Sequence, residues 1–127
     1  MAGSEAAREL LHAAGSDLKA LVHMLDREAF DDKVFGFHAQ QAVEKTFKAW
    51  VNLLGEVHPY THNLRVLLDQ LEKLGAEVEV YWDFVELTGY AMQLRYESPL
   101  LEDAPLDREH LVQEIQLLMR RVEELLQ

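Results

Sequence analysis

Apolar residues recur at helical spacing along most of the chain, and the stretch Asp32–Gly55 shows this pattern most clearly. A helix there, with about 100° of rotation per residue, gathers its apolar side chains on one broad arc that must face a core. The arc consists of Phe35, Ala39, Ala42, Val43, Thr46, Phe47, Trp50, Leu53 and Leu54. This stretch is therefore predicted to be the core helix against which the other elements pack.

A narrow polar stripe borders this arc, at positions i, i+3 and i+7. We call it the polar seam, and it consists of His38, Gln41 and Lys45. A stripe in this position either lines a groove between helices or forms an ordinary boundary between core and water. The outer face of this helix carries Gln40, Glu44 and Lys48, and it is expected to meet solvent. Glu44 and Lys48 lie four residues apart, which predicts an ion pair between them.

The first two helices have recognisable ends. Ser4 is the predicted N-cap of a first helix that extends from about Glu5 to Arg27. Asp31 or Asp32 caps the second helix, and Gly55 closes it because glycine adopts the left-handed conformation that ends a helix.

Further helices follow. Thr61 or Asn63 caps a third helix, which Gly75 ends. The next segment alternates like a strand over residues 77–81, but it follows a helical period over residues 78–95. A lone short strand would have no partner elsewhere in the chain, so the prediction for this segment is a fourth helix.

Asp107 caps the last helix, after a loop that contains Pro99 and Pro105. Five helices with short connections predict an all-α fold, an up-and-down antiparallel bundle. A length of 127 residues predicts one domain over residues 1–127.

Charge and composition limit the classes of function. The formal net charge is −11, and such a surface repels nucleic acid and favours a cationic protein partner. There is no cysteine, which excludes disulfides and cysteine-ligated metal. No apolar run approaches the roughly 18 residues of a membrane span, so a cytoplasmic protein is expected.

The chain contains no P-loop, GxGxxG, HExxH or GxSxG motif, and no cofactor is predicted. The six histidines do not cluster at metal spacing, since His58 and His62 lie on either side of Pro59 in a loop. Arg95 is expected near the end of the fourth helix. A cleft that combined Arg95, Lys45 and a histidine would suit phosphate, because arginine binds it bidentately and lysine acts as a point charge. The alternative is that these residues are hydrogen-bonded or paired at the edge of the core.

Three segments resemble the HEPN family in sequence, order and spacing. They are FHAQQAVEKTFKAW (residues 37–50), THNLRVLLDQL (residues 61–71) and YAMQLRYES (residues 90–98). The resemblance covers most of residues 5–125. It implies an all-α bundle of about five helices, often homodimeric, and a proposed nucleotide-binding role. It also implies a link to a minimal nucleotidyltransferase, encoded beside many prokaryotic members as the other half of a toxin–antitoxin pair.

Many HEPN proteins are metal-independent endoribonucleases with an Arg, four to six residues and then a His. None of the seven arginines of this chain has a histidine at that distance; Arg8 and His12 come nearest and are one residue too close. Cleavage through a 2′-oxygen needs an acid/base beside a cation, and Arg95 has no histidine after it. The expectation is a non-catalytic subunit.

Three hypotheses follow. The first is a homodimeric HEPN subunit that binds a nucleotide or a nucleotidyltransferase partner. The second is a ribonuclease with a rearranged site, in which Arg95 works with His38 or His62, and the third is a structural docking module. The candidate ligand-binding residues are His38, Gln41, Lys45, His62 and Arg95. Trp82 and Leu100-Leu101 are candidates for the dimer face.

Overall fold

The computed structural model describes residues 2–90 and 105–126, and within these ranges the chain is helical and has no strand. The elements are α1 (Ala2–His23), α2 (Asp32–Leu53), α3 (Leu64–Lys73), a 3₁₀ helix (Glu79–Leu87) and α4 (Arg108–Leu125). The predicted all-α bundle of about five helices is confirmed. None of the helices in these ranges combines the length and the apolarity needed to cross a bilayer.

The helix α2 lies at the centre and packs against each of the other four elements. It runs antiparallel to α1, because Gly3 lies against the main-chain oxygen of Asn52 and Asp17 contacts His38. The core between these elements includes the buried rings of Phe35, Phe47 and Trp50. The predicted role of α2 as the core helix follows directly from its broad apolar arc.

The connection between α2 and α3, residues 54–63, runs back along α2, and we call it the return connection. Near its start, the His58 amide donates to Asn52 Oδ1 at 3.3 Å. Near its end, the His62 carbonyl accepts from Gln40 Nε2 at 3.0 Å. The return connection therefore runs from the last turn of α2 to its middle and covers this face of α2.

The prediction that Gln40, Glu44 and Lys48 face solvent is wrong. All three residues are buried, because the return connection lies over this face. The predicted ion pair itself is confirmed: Lys48 Nζ lies 2.9 Å from Glu44 Oε2. Helical periodicity identifies a polar face, but it does not show whether that face meets water or another part of the chain.

The predicted caps of α2, α3 and α4 are confirmed. The side chains of Asp31, Asn63 and Asp107 accept hydrogen bonds from the first turns of these helices, so Asp31 is the cap rather than Asp32, and Asn63 rather than Thr61. Gly55 and Gly75 each adopt φ of 91° directly after their helices. At both ends, two main-chain hydrogen bonds reach back to the last turn, so these glycines stop the helices as predicted.

The predicted ends of the first helix are wrong. It begins at Ala2, so Ser4 lies inside it, and it stops at His23, short of Arg27. Just after this end, the guanidinium of Arg108 takes main-chain carbonyls of the following loop as acceptors. It thus supplies donors where the chain leaves the helical hydrogen-bond pattern.

Arg108 is almost completely buried at the start of α4. Its guanidinium donates to the carbonyls of Met24 and Phe30 at 2.7 and 2.6 Å, and to Asp32 Oδ1 at 3.0 Å. The guanidinium carbon also lies 5.0 Å from the ring centre of Phe35. One side chain thus ties the α1–α2 loop, the start of α2 and the start of α4 together.

The fourth predicted helix is a 3₁₀ helix over Glu79–Leu87, and residues 88–90 are α-helical. In a 3₁₀ helix, side chains three residues apart eclipse each other. The rings of Tyr81 and Phe84 use this geometry, since they stack with an interplanar angle of 9° and centroids 6.3 Å apart. Residues 91–95 of that prediction lie outside the described residues.

We expect Arg108→Ala to lower the free energy of unfolding by about 3 kcal/mol, because several buried acceptors lose their donor. Arg108→Lys should recover less than half of this loss, since an ammonium cannot reach several acceptors at once. Urea unfolding would measure both. Arg120→Ala, at an exposed position of the same helix, is the control and should change the value by less than about 0.5 kcal/mol. Equal losses of unfolding free energy in Arg108→Ala and Arg108→Lys would contradict the role given to the guanidinium.

His58 makes the return connection sensitive to pH. Burial first, and the charge of Lys48 second, lower the pKa of His58, against an opposing effect of Glu44. The unfolded chain therefore binds more protons, and stability should fall as the pH drops below the ordinary value of 6.5. Between pH 8 and pH 5, the free energy of unfolding should depend less on pH in His58→Gln than in the wild type. An equal dependence on pH in the two proteins would contradict this prediction.

Candidate functional site

Two residues of the polar seam meet the same carboxylate on α1. Lys45 Nζ donates to Asp17 Oδ2 at 2.6 Å, and His38 Nδ1 lies 3.1 Å from Asp17 Oδ1. A carboxylate only accepts hydrogen bonds, so Nδ1 of His38 is the donor in this pair; whenever the imidazole is neutral, Nε2 is left as its acceptor. The side chain of Asp17 is only 12% exposed. The positive charge of Lys45 is therefore neutralised by the carboxylate of Asp17, at a position that is partly exposed to solvent.

The third seam residue, Gln41, belongs to a different network. Its side-chain nitrogen donates to Gln40 Oε1 at 2.8 Å. Gln40 in turn donates to Glu44 Oε1 at 2.8 Å and to the carbonyl of His62. The amide of Gln40 thus links the seam to the face of α2 that the return connection covers.

Glu44 is the centre of this second network. Besides Gln40, it accepts from Lys48 Nζ, and both of its oxygens lie 3.1 Å from His62 Nδ1. Three donors around one buried carboxylate replace the water that it has lost. The ring of His62 is half exposed and, like that of His38, is oriented by a carboxylate with Nε2 as the acceptor.

The structure separates the predicted site residues into two groups. His38 and Lys45 lie together against Asp17, whereas Gln41 and His62 are connected through Gln40 and Glu44. Arg95, the remaining predicted member, lies outside the described residues. A phosphate site built from these residues stays a prediction.

Asp17 and Glu44 are the functional neighbours that sequence reasoning missed. Asp17 follows the apolar stripe of α1, next to Leu18 and three residues after the buried Ala14. An acid at the edge of one apolar stripe, matched with cations at the edge of another, is the signal that could have identified it. Glu44 had no comparable signal, because its role depends on the return connection.

The chemistry open to this arrangement is that of hydrogen-bonded polar networks and two carboxylate-oriented histidines. In the described part of the chain, no three His, Cys, Asp or Glu side chains gather closely enough to hold a metal ion. His58 has an amide partner: its Nδ1 lies 3.2 Å from Asn52 Oδ1. A basic anion-binding cluster is not formed by His38 and Lys45, because Asp17 lies between them.

Comparison with known proteins identifies the family. The model of the HEPN domain matches residues 7–126, a range that begins within α1 and extends past the end of α4. No match was found among curated proteins or among solved structures. The three segments that resemble this family in sequence fall within the matched range. This chain belongs to the HEPN family.

Proposed function

We propose that this HEPN protein is a non-catalytic binding subunit that acts on a protein partner, with a minimal nucleotidyltransferase as the first candidate. The observation that carries the proposal is the internal pairing of basic side chains on α2: Asp17 pairs with Lys45 and His38, and Glu44 pairs with Lys48. Among the described residues of the predicted phosphate site, the lysine that a phosphate would need is therefore already paired. This favours the protein partner over the nucleotide ligand.

A phosphate would have to compete with Asp17 for Lys45. The Asp17 carboxylate lies 2.6 Å from Lys45 Nζ, and it binds there without a loss of association entropy because it belongs to the same chain. The phosphate must also approach a protein with a net charge of −11. A protein partner with a basic surface gains from that same charge during both encounter and binding.

Family membership suggests the identity of the partner. Many prokaryotic HEPN proteins are encoded beside a minimal nucleotidyltransferase as a two-component module of the toxin–antitoxin type, and we propose such a role in the cytoplasm for this chain. We also propose a homodimer. Of the residues predicted for its interface, Trp82 is half-buried with the Arg65 guanidinium over its ring, and Leu100-Leu101 lies outside the described residues.

A second candidate function has one observation in its favour. His38 and His62 are each held by a carboxylate through Nδ1, an arrangement that leaves Nε2 able to act as a general base. Such a histidine, with Arg95, would form the rearranged ribonuclease site. However, within the described residues each histidine faces its own carboxylate, and no free cation accompanies it.

We expect the thermal midpoint of the wild-type protein to be unchanged by a panel of nucleotides, with and without magnesium. A ligand bound only to the folded state would add about 2.7 kcal/mol at a hundredfold excess over its Kd. A shift in the wild type that is lost in Lys45→Ala and Arg95→Ala, and kept in the exposed control Lys33→Ala, would overturn the proposal. That result would place a nucleotide in the seam.

The proposal requires a minimal nucleotidyltransferase encoded beside the gene, and co-expression of the two proteins should yield a complex that elutes as one species in size-exclusion chromatography. Light scattering of the protein alone should give the mass of a homodimer. Separate elution of the two proteins at micromolar concentration would contradict the proposed partner. A monomeric mass would contradict the homodimer and leave the partner proposal intact.

The purified protein should leave single-stranded and structured RNA intact. Its charge opposes RNA binding, and within the described residues His38 and His62 each face a carboxylate and have no free cation beside them. Cleavage that disappears in His38→Gln or His62→Gln, but persists in the exposed control His12→Gln, would instead establish the ribonuclease. Cleavage that survives all three substitutions would indicate a contaminating nuclease. The assay would then be repeated after further purification.

A further inference from the structure

Two grooves lie side by side along the 3₁₀ helix. One, of about 590 Å³, lies between the 3₁₀ helix and the start of α4. The other, of about 1010 Å³, lies between the 3₁₀ helix and the end of α3. Val80 borders both grooves and is 76% exposed. We call this region the Val80 surface.

The floor of the first groove is apolar. Phe84 and Leu87 are buried at its base, and the half-buried side chains of Leu106 and Leu111 form the opposite wall. The exposed side chain of Val80 extends this apolar strip towards the second groove, where Tyr81 and Trp82 continue it. An apolar strip at the surface, continuous with the core, is a site where burial by a partner is favourable.

Carboxylates surround this strip. The first groove is lined by Asp83, Glu86, Asp107 and Glu114, and the second by Glu72, Glu77 and Glu79. The cationic groups among the described lining residues are His110, which contacts Glu114, and Arg121, which lies over the ring of Trp50. In the part of the chain that the structure describes, Asp83 and Glu86 have no hydrogen-bonding or ionic partner. The acidic charge of this surface is therefore available to a ligand.

We propose that the Val80 surface binds a basic amphipathic segment of a protein partner. Apolar side chains of that segment would cover Val80 and enter the groove over Phe84, while lysine or arginine on either side would meet Asp83 and Glu86. This inference rests on the proposed function, because it names the surface through which the subunit meets its partner.

Charge decides among the possible occupants. Nucleic acid is repelled by the carboxylates, and a second copy of this chain would bring another net charge of −11. A small cation would pair with the rim and leave the apolar strip exposed to water. A segment with one apolar face and basic flanks satisfies both features, in the manner of a helix bound in a groove.

The test uses two defined peptides, one of leucine and lysine and one of leucine and glutamate, each with leucine at i, i+3, i+4 and i+7. Fluorescence anisotropy measures their binding to the folded, full-length protein at low and high salt. We expect binding of the lysine peptide alone, weakened by salt through screening of the rim charges. Equal binding of both peptides, or of neither, would overturn the proposal.

Matched variants locate the binding. Asp83→Asn with Glu86→Gln should weaken the lysine peptide about tenfold, and so should Val80→Ser. The controls are Glu123→Gln with Glu124→Gln on the last turn of α4, and Val57→Ser at an 84% exposed position of the return connection. Each control should change the affinity by less than about twofold. All six substituted residues are exposed, so circular dichroism should show unchanged folding.

The same variants separate this inference from the proposed function. If the nucleotidyltransferase complex forms equally well with wild type and with Val80→Ser, the partner is correct and the Val80 surface is wrong. If no such complex forms, while the lysine peptide binds and the groove variants lose it, the surface is correct and the partner is a different basic protein. Equal loss of peptide binding in the control variants would show attraction by net charge alone and would overturn the surface.

Discussion

Glu44 is a buried residue of the central helix and accepts hydrogen bonds from Gln40, Lys48 and His62. A carboxylate withdrawn from water is tolerated only when such donors replace its hydration, and each donor must then be held in place. Lys48 and Gln40 belong to the same helix, but His62 comes from the return connection. The course of the chain after α2 is thus coupled to the burial of one charge in the middle of the bundle.

The same requirement governs the other edges of α2. Asp17 satisfies Lys45 and His38 from α1, and Arg108 satisfies carbonyls of the α1–α2 loop from α4. In each place a polar group at the edge of the core meets a partner from a different element. These pairs specify how the helices are arranged as much as they stabilise them, since an alternative packing would leave a buried group unpaired.

This internal pairing has a consequence for function. Lys45 and Lys48 of α2 are used within the chain, whereas carboxylates such as Asp83 and Glu86 remain at the surface. The proposed partner rests on this contrast, because carboxylates beside the exposed Val80 suit a basic protein more than a phosphate. Under the proposed function, the polar seam stabilises the bundle and the binding surface lies elsewhere.

Local signals determined much of the fold. The broad arc of α2, the caps at Asp31, Asn63 and Asp107, and the glycines at 55 and 75 each act within one or two helical turns, and the sequence alone was enough to predict them. The candidate residues His38 and Lys45 were also recognised, but as an open seam. Their partner Asp17, the burial of Gln40, Glu44 and Lys48, and the early end of α1 beside Arg108 were decided only by the tertiary structure. The physical reason is that periodicity records which face of a helix is polar, whereas the element that covers that face comes from a distant part of the chain.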